Sequence, residues 1–103
     1  MSNSNIEFIS KLETIVQERL KNPSDESYTA KLAAAGTKRI AQKLGEEGVE
    51  LALAATSGDH EEIIDEAADL IYHLVVLLTD QGLSLADIAK RLESRHAGHE
   101  SAG

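Results

Sequence analysis

The sequence contains no cysteine, which excludes disulfides, thiolate zinc sites and cysteine nucleophiles. Proline occurs once and aromatic residues make up 3% of the chain, so a core must be built from Leu, Ile, Val and Ala, a mixture typical of packed helices. Long apolar runs are also missing, because the longest, from Leu74 to Leu78, is far shorter than the roughly 20 residues that cross a bilayer. We therefore expect an all-α, cytoplasmic protein with no membrane partner.

Positive charge is scarce as well. The chain has 10 Lys and Arg against 18 Asp and Glu, which gives a formal net charge of -8. Coating a nucleic acid requires a clustered excess of basic residues, so we expect no nucleic-acid partner. A phosphate-bearing substrate would be repelled by such a protein unless a divalent cation stood between them.

The length of 103 residues suits a single hydrophobic core. Apolar periodicity and turn residues predict helices at about residues 5–21, 27–35, 37–56, 60–81 and 84–95, which would form a four- to five-helix bundle. In the last helix we expect a buried stripe of Leu85, Ile88, Ala89 and Leu92. Residues 1–96 form the predicted functional domain, and residues 97–103 a disordered tail without apolar periodicity.

A central antiparallel hairpin is predicted around the turn Ser57-Gly58-Asp59. The helix after this turn carries apolar residues around nearly its whole circumference, from Ile63 to Leu78, and is therefore expected to be buried on most sides. A chain this short offers little to cover it. We accordingly predict a homodimer that buries Val75, Val76 and their neighbours.

Two acidic strips lie in this hairpin. At about 100° per residue, one strip of the second helix contains Glu62, Glu66, Asp69 and His73. The first helix carries three acids within a comparable arc, Glu46, Glu47 and Glu50. Like charges at this spacing destabilise a helix unless solvent or a cation compensates them.

Four of these acids are expected to converge across the hairpin. Glu47 and Glu50 precede the turn by about as many residues as Glu66 and Asp69 follow it, so the two pairs can face each other. An oxygen-only site suits hard cations such as magnesium or manganese. The alternative is that the acids are solvated helix faces. Against it, Glu66 and Asp69 lie in a helix too apolar to have a free face.

The same residues carry a family resemblance. Glu46-Glu47-Gly48-Val49-Glu50, followed by Glu66-Ala67-Ala68-Asp69, resembles the EExxE and ExxD pair of the all-α, MazG-like nucleotide pyrophosphohydrolases. The segments around it resemble the phosphoribosyl-ATP pyrophosphatase branch: Ser27-Tyr28-Thr29-Ala30-Lys31-Leu32, Gly36 to Gly45, and Ala68 to Leu74. The resemblance runs from about Ile6 to Arg95 and leaves nothing for the cyclohydrolase domain to which some relatives are fused, which predicts a stand-alone enzyme.

The resemblance implies an activity. It is hydrolysis of phosphoribosyl-ATP between the α and β phosphates, the second step of histidine biosynthesis, by a dimer whose sites can draw residues from both subunits. One alternative is a related house-cleaning enzyme that acts on another nucleoside triphosphate. A second is a non-enzymatic, acidic helical dimer that binds a partner protein.

The resemblance also implies roles for individual residues. The magnesium ligands would be Glu47, Glu50, Glu66 and Asp69, with manganese as a second possibility. Glu46 would then orient or deprotonate the attacking water.

Basic and hydroxyl side chains complete the predicted site. The candidates for binding the nucleotide are Lys31, Lys38, Arg39, Lys43, Ser27, Tyr28, Thr29 and His73. Each has a structural alternative: the lysines as solvated groups, Lys43 as a helical partner of Glu46 or Glu47, and the others as cap or packing residues. Glycines 45 and 48 inside a helix suggest close helix approach or ligand access.

Overall fold

The computed structural model describes residues 4–24 and 26–102, and within these ranges the chain forms five α-helices and no strand. The helices are α1 (Ser4–Lys21), α2 (Tyr28–Ala35), α3 (Thr37–Ser57), α4 (His60–Asp80) and α5 (Leu85–Ala102). This confirms the predicted all-α class and the predicted order of helices. None of the described helices is long and apolar enough to cross a membrane.

Helices α3 and α4 form the predicted antiparallel hairpin, and the turn residues explain its sharpness. Gly58 ends α3 in the left-handed conformation, with φ 78°, which glycine adopts without steric cost. Asp59 then caps α4, because its Oδ1 accepts hydrogen bonds from the backbone N–H groups of Glu61 and Glu62 at 3.0 and 3.3 Å. The turn therefore reverses the chain within very few residues.

The opposite end of the hairpin is also tied. The Thr37 hydroxyl at the start of α3 donates to Asp80 Oδ2 at the end of α4 over 2.7 Å. Gln81 Nε2 donates to the same carboxylate oxygen over 2.9 Å. The turn thus joins α3 and α4 at one end, and polar contacts tie them together at the other.

The core lies where α1, α2 and α3 pack on α4. Its buried residues are Val16, Leu32, Ile40, Val75 and Val76. Val75 and Val76 are fully buried within the single chain, so the prediction that a dimer buries them is wrong. The reason is that three helices of the same chain cover α4.

Helix α5 differs from the other four, since it makes few contacts with them. Leu85 is partly buried against the core, but Ile88 and Ala89 are exposed and Leu92 is 58% exposed. The predicted buried stripe is therefore wrong except at Leu85. Periodicity identifies residues that share a face of a helix, but it does not identify what covers that face.

Helix α5 also runs further than expected. It continues to Ala102, so residues 97–102 are helical where we predicted a disordered tail. Gly98 is the only helix breaker there, and a single glycine costs roughly 1 kcal/mol relative to alanine, which does not by itself end a helix. The separation of a functional domain at residues 1–96 from residues 97–103 stays a prediction.

Candidate metal centre and nucleotide site

Three carboxylates meet between α3 and α4. One oxygen each of Glu47, Glu66 and Asp69 lies within 4.8 Å of the others. Glu47 extends from α3 and is 6% exposed, whereas Glu66 and Asp69 lie on successive turns of α4. The hairpin therefore brings together three of the four ligands that the sequence predicted.

Two oxygens of this cluster are buried without a partner. Glu47 Oε2 and Glu66 Oε2 have no hydrogen-bond partner among the described residues and almost no solvent contact. Burial of an unpaired carboxylate oxygen is costly, so native proteins seldom leave one unsatisfied. A hard cation would satisfy both lone pairs, and an all-oxygen ligand set fits one.

The fourth predicted ligand, Glu50, acts on the cluster from an exposed position. Burial raises the pKa of Glu47, and the carboxylate of Glu50 and the charge of Asp69 raise it further. Burial likewise raises the pKa of Glu66, with added contributions from Glu50, Glu47 and Asp69. The four acids thus form one repulsive group whose charges a cation would stabilise.

Glu46, the predicted catalytic residue, lies outside this cluster. Its Oε2 accepts a hydrogen bond from Gln42 Nε2 over 3.0 Å, and its Oε1 lies 3.4 Å from Lys43 Nζ. The Gln42 hydrogen bond and the Lys43 ammonium lower the pKa of Glu46, which therefore remains ionised. Gln42 was not among the predicted residues, although its spacing of four from Glu46 is the signal that identifies such a pair.

Lys43 lies on the border between Glu46 and the cluster. Its Nζ is 3.8 Å from Glu47 Oε1, so Lys43 pairs with both glutamates, where the structural alternative predicted Glu46 or Glu47. Burial works to lower the pKa of Lys43, but the hydrogen bond to Glu46 and the charges of Tyr28, Glu46 and Glu47 outweigh it and raise the pKa. Lys43 therefore supplies a permanent positive charge beside the carboxylates.

Helix α2 contacts the site through Tyr28. The Tyr28 hydroxyl lies 3.0 Å from His73 Nε2, and His73 Nδ1 lies 2.7 Å from the backbone carbonyl oxygen of Asp69. His73 is buried. Tyr28 and His73 are therefore linked by hydrogen bonds to the backbone carbonyl of Asp69, whose side chain belongs to the cluster.

The remaining hydroxyl candidates serve the fold. Ser27 caps α2, because its Oγ accepts from the Ala30 N–H over 3.1 Å. The Thr29 hydroxyl is hydrogen-bonded to the Tyr72 hydroxyl, and Thr29 is 1% exposed. The structural alternatives, capping and packing, fit Ser27 and Thr29 better than nucleotide contact.

The other basic candidates are exposed and form no ion pair with the carboxylates in the described part of the chain. Lys38 precedes Glu47 by nine residues, which corresponds to about 13 Å along a helix axis. Arg39 is close enough for its charge to lower the pKa of Glu46. Lys31 is exposed on α2 beside a depression lined by Pro23 and Ser24. Among the basic residues that the structure describes, only Lys43 pairs with a member of the cluster.

The two glycines within α3 have open space beside them. A Cβ atom built on Gly45 or Gly48 would meet no atom within 4 Å in the described part of the chain. The predicted close helix approach at these glycines is therefore absent among the described residues. Gly45 instead lines a surface depression together with Glu46, Val49 and Glu50.

These features define a helical protein whose central hairpin holds a carboxylate site suited to a hard cation. Residues 9–96 match the family described as phosphoribosyl-ATP pyrophosphohydrolase, and the chain belongs to that family. The family has a MazG-like helical fold and is metal-dependent, so the predicted fold class and family are confirmed.

Curated relatives carry the same region within longer chains. The histidine biosynthesis bifunctional protein HisIE of Photobacterium profundum is 60% identical over 89 residues, which are 86% of this chain and 43% of the relative. The Escherichia coli protein of the same name is 57% identical over 89 residues, 86% of this chain and 44% of the relative. That of Campylobacter jejuni is 55% identical over 94 residues, 91% of this chain and 45% of the relative. The chain thus spans less than half the length of these relatives.

Proposed function

We propose that this protein hydrolyses phosphoribosyl-ATP to phosphoribosyl-AMP and pyrophosphate, the second step of histidine biosynthesis. The proposal is supported by membership of the pyrophosphohydrolase family and by similarity to relatives named for histidine biosynthesis. The observation that carries it is the pair of buried, unpartnered oxygens of Glu47 and Glu66. Carboxylates left unsatisfied in this way suit a metal-dependent phosphate hydrolase better than a structural helix pair.

The metal that we propose is Mg²⁺, with Mn²⁺ as a substitute. The residues that would hold it are Glu47, Glu50, Glu66 and Asp69, directly or through water. When bound, the cation supplies an electrostatic bridge between the acidic protein and the triphosphate, and Lewis-acid activation of the reacting phosphorus.

Two side chains beside the carboxylates would complete the chemistry. The carboxylate of Glu46 is ionised and its pKa is lowered, so it is a weak base that orients the attacking water by accepting its hydrogen bond. The ammonium of Lys43 stabilises the negative charge that develops on the leaving pyrophosphate. Lys31, Lys38 and Arg39 would contact the more distant parts of the substrate.

A pyrophosphate-release assay tests the proposed function. The purified protein should release pyrophosphate from phosphoribosyl-ATP with Mg²⁺ and lose this activity in excess chelator. Glu66→Gln should abolish turnover, whereas Glu62→Gln, a matched exposed acid one turn earlier in α4, should not. Substantial turnover in chelator, or equal activity of the two variants, would contradict the metal-centred mechanism.

The two alternatives predict different results in the same assay. A house-cleaning enzyme would hydrolyse an ordinary or modified nucleoside triphosphate faster than phosphoribosyl-ATP. A non-enzymatic helical dimer would release no pyrophosphate and would not be stabilised against heat by Mg²⁺. Side-by-side turnover numbers and one melting curve with and without Mg²⁺ therefore separate the three possibilities.

We also propose that the protein is a homodimer whose interface does not include Val75 and Val76, which are buried within one chain. The residues exposed on the outside of the hairpin include Val49, Leu53 and Ile64, and Leu53 is 63% exposed. Val49 and Leu53 share one face of α3 and continue the depression next to Glu46 and Glu50. A second copy that covers this apolar face would bury it beside the carboxylate site.

Solution scattering tests the dimer. We expect twice the chain mass for the unmodified protein and a monomer for Leu53→Glu, while Glu61→Gln, which changes an exposed polar residue, should remain dimeric. A monodisperse monomer of the unmodified protein would contradict the proposal. The cytoplasmic location and the absence of a nucleic-acid partner stay predictions.

A further inference from the structure

Two neighbouring hydrogen bonds connect α2 to α4, and they differ in what they leave exposed. Thr29 pairs with Tyr72 and is buried, so both hydroxyls are used within the protein. Tyr28 pairs with His73, but Tyr28 is 48% exposed. The first pair serves packing alone, whereas the second has an oxygen that another molecule can reach.

The direction of the protons in the second pair follows from its partners. A backbone carbonyl only accepts hydrogen bonds, so His73 Nδ1, 2.7 Å from the Asp69 carbonyl oxygen, must carry the hydrogen. In the neutral imidazole Nε2 is then an acceptor, and the Tyr28 hydroxyl donates its proton to it over 3.0 Å. Tyr28 is thereby left with lone pairs only.

The Tyr28 oxygen lies at the rim of the carboxylate site. His73 is buried and is hydrogen-bonded to the backbone carbonyl oxygen of Asp69, a candidate metal ligand. Tyr28 also lies close to Lys43, which pairs with Glu47. A nucleotide whose phosphates lie at the carboxylates would therefore have its adjoining sugar within reach of Tyr28.

We propose that His73 is a positioning residue that fixes Tyr28 as a hydrogen-bond acceptor for a hydroxyl of the ribose next to the hydrolysed phosphates. An ionised phosphate oxygen is itself an acceptor and cannot bond to a hydroxyl oxygen whose proton is already donated. Tyr28 therefore recognises the sugar and not the phosphates. The inference rests on the proposed function, because it assumes a ribonucleotide substrate.

A double-mutant cycle tests whether His73 acts through Tyr28. Tyr28→Phe removes the acceptor, and His73→Leu removes the group that orients it. Each single variant should lower kcat/KM about tenfold, the loss typical of one hydrogen bond made to a substrate, and the double variant should be no worse than His73→Leu. His73→Gln, which retains an acceptor for the tyrosine proton, should recover most of the activity.

Substrate analogues test the group that Tyr28 binds. Two analogues of phosphoribosyl-ATP lack the 2′ or the 3′ hydroxyl of the ribose next to the phosphates. The unmodified protein should hydrolyse one of the two, the analogue that lacks the hydroxyl bound by Tyr28, about tenfold less efficiently than phosphoribosyl-ATP. Tyr28→Phe should not discriminate between that analogue and the full substrate. The loss should lie mainly in KM, because a sugar contact is made in both ground and transition states.

Tyr72→Phe provides the matched control. It removes one hydroxyl from the neighbouring α2–α4 pair, so it should lower the melting temperature and leave kcat/KM and the discrimination between analogues unchanged. Comparison of its melting temperature with that of His73→Leu separates loss of folded protein from loss of positioning.

The results that would overturn the inference differ from those that would overturn the proposed function. Additive losses in the cycle, unchanged kcat/KM in Tyr28→Phe, or equal discrimination by Tyr28→Phe and the unmodified protein would each refute the role of His73 and Tyr28. Failure of the unmodified protein to hydrolyse phosphoribosyl-ATP would refute the proposed function first.

Discussion

The α3–α4 hairpin and helix α5 use amphipathic sequences in opposite ways. In the hairpin, apolar residues such as Val76 are buried by helices of the same chain, and even acids such as Glu47 lie inside. In α5, Leu92 and Ile88 are exposed, although their spacing is as regular as that in the hairpin. The inner face of the hairpin is therefore covered within one chain, whereas the apolar stripe of α5, like the exposed Val49 and Leu53 of α3, is not.

The largest expected difference concerns activity. Asp69→Asn in the hairpin should lower metal-dependent turnover by at least about 100-fold, because it removes a charged ligand from the proposed metal site. Asp87→Asn, at the start of α5, should leave turnover unchanged because Asp87 only caps that helix. Steady-state kinetics with Mg²⁺ provide the measurement. Equal losses in both variants would contradict the expected difference between the hairpin and α5.

The next largest difference concerns stability. Val76→Ala should lower the free energy of unfolding by about 2 kcal/mol, since it removes buried methyl groups and leaves a cavity. Leu92→Ala should change it by at most about 0.5 kcal/mol in a dilute sample, because the side chain is mostly exposed. Urea unfolding of both variants gives the values. A large loss in Leu92→Ala at high protein concentration only would indicate that a second copy covers α5.

A smaller effect is expected at Gly48, within the hairpin. Gly48→Ala should raise the free energy of unfolding by about 1 kcal/mol, because the helix gains a better helix former and a Cβ there would meet no atom. Gly98→Ala in α5 is the matched variant, and thermal unfolding measures both. If Gly48→Ala stabilises the protein but lowers turnover, then a substrate or a second copy approaches α3 at this point.

The smallest effect should be the pH dependence of the metal-free hairpin. The folded-state pKa of Glu47 and of Glu66 is raised above the ordinary value of 4.5, so ionisation opposes folding. Without metal, the two carboxyl groups do not lower the free energy of unfolding below pH 4.5, because they are protonated there. Their destabilising effect grows as the pH rises through the folded-state pKa. Glu47→Gln should therefore gain stability over the unmodified protein between acidic and neutral pH in chelator, and lose that advantage in Mg²⁺. A stability difference that does not depend on pH would contradict the proposed repulsion.

The hairpin was predictable from the sequence because its determinants are local. Gly58 and Asp59 specify the turn, and helical periodicity brings Glu47 to the level of Glu66 and Asp69. Periodicity did not show which of Glu46 and Glu47 is buried, because both lie in one arc of α3. The rotation of α3 about its axis relative to α4 decides this, and it buries Glu47.

Contacts that are distant in sequence were not predictable. Tyr28 and His73 were both candidates, but nothing in the sequence pairs residues that are 45 positions apart. The same limit explains the error at α5, where a regular stripe, including Ile88 and Leu92, is left exposed. Local patterns determine the helices, and packing between helices decides which faces they bury.

We expect the hydrogen bond between Thr37 and Asp80 to affect the ion selectivity of the proposed metal site. Because α3 and α4 are held together there and at the Gly58 turn, we expect the proposed metal site to resist widening around a larger ion. A site whose ligands cannot move apart favours Mg²⁺, which requires near-octahedral geometry and short ligand distances of about 2.1 Å. Ca²⁺ has longer and more variable ligand distances. Thr37→Val, although remote from the carboxylates, would then allow Ca²⁺ to compete better for the site.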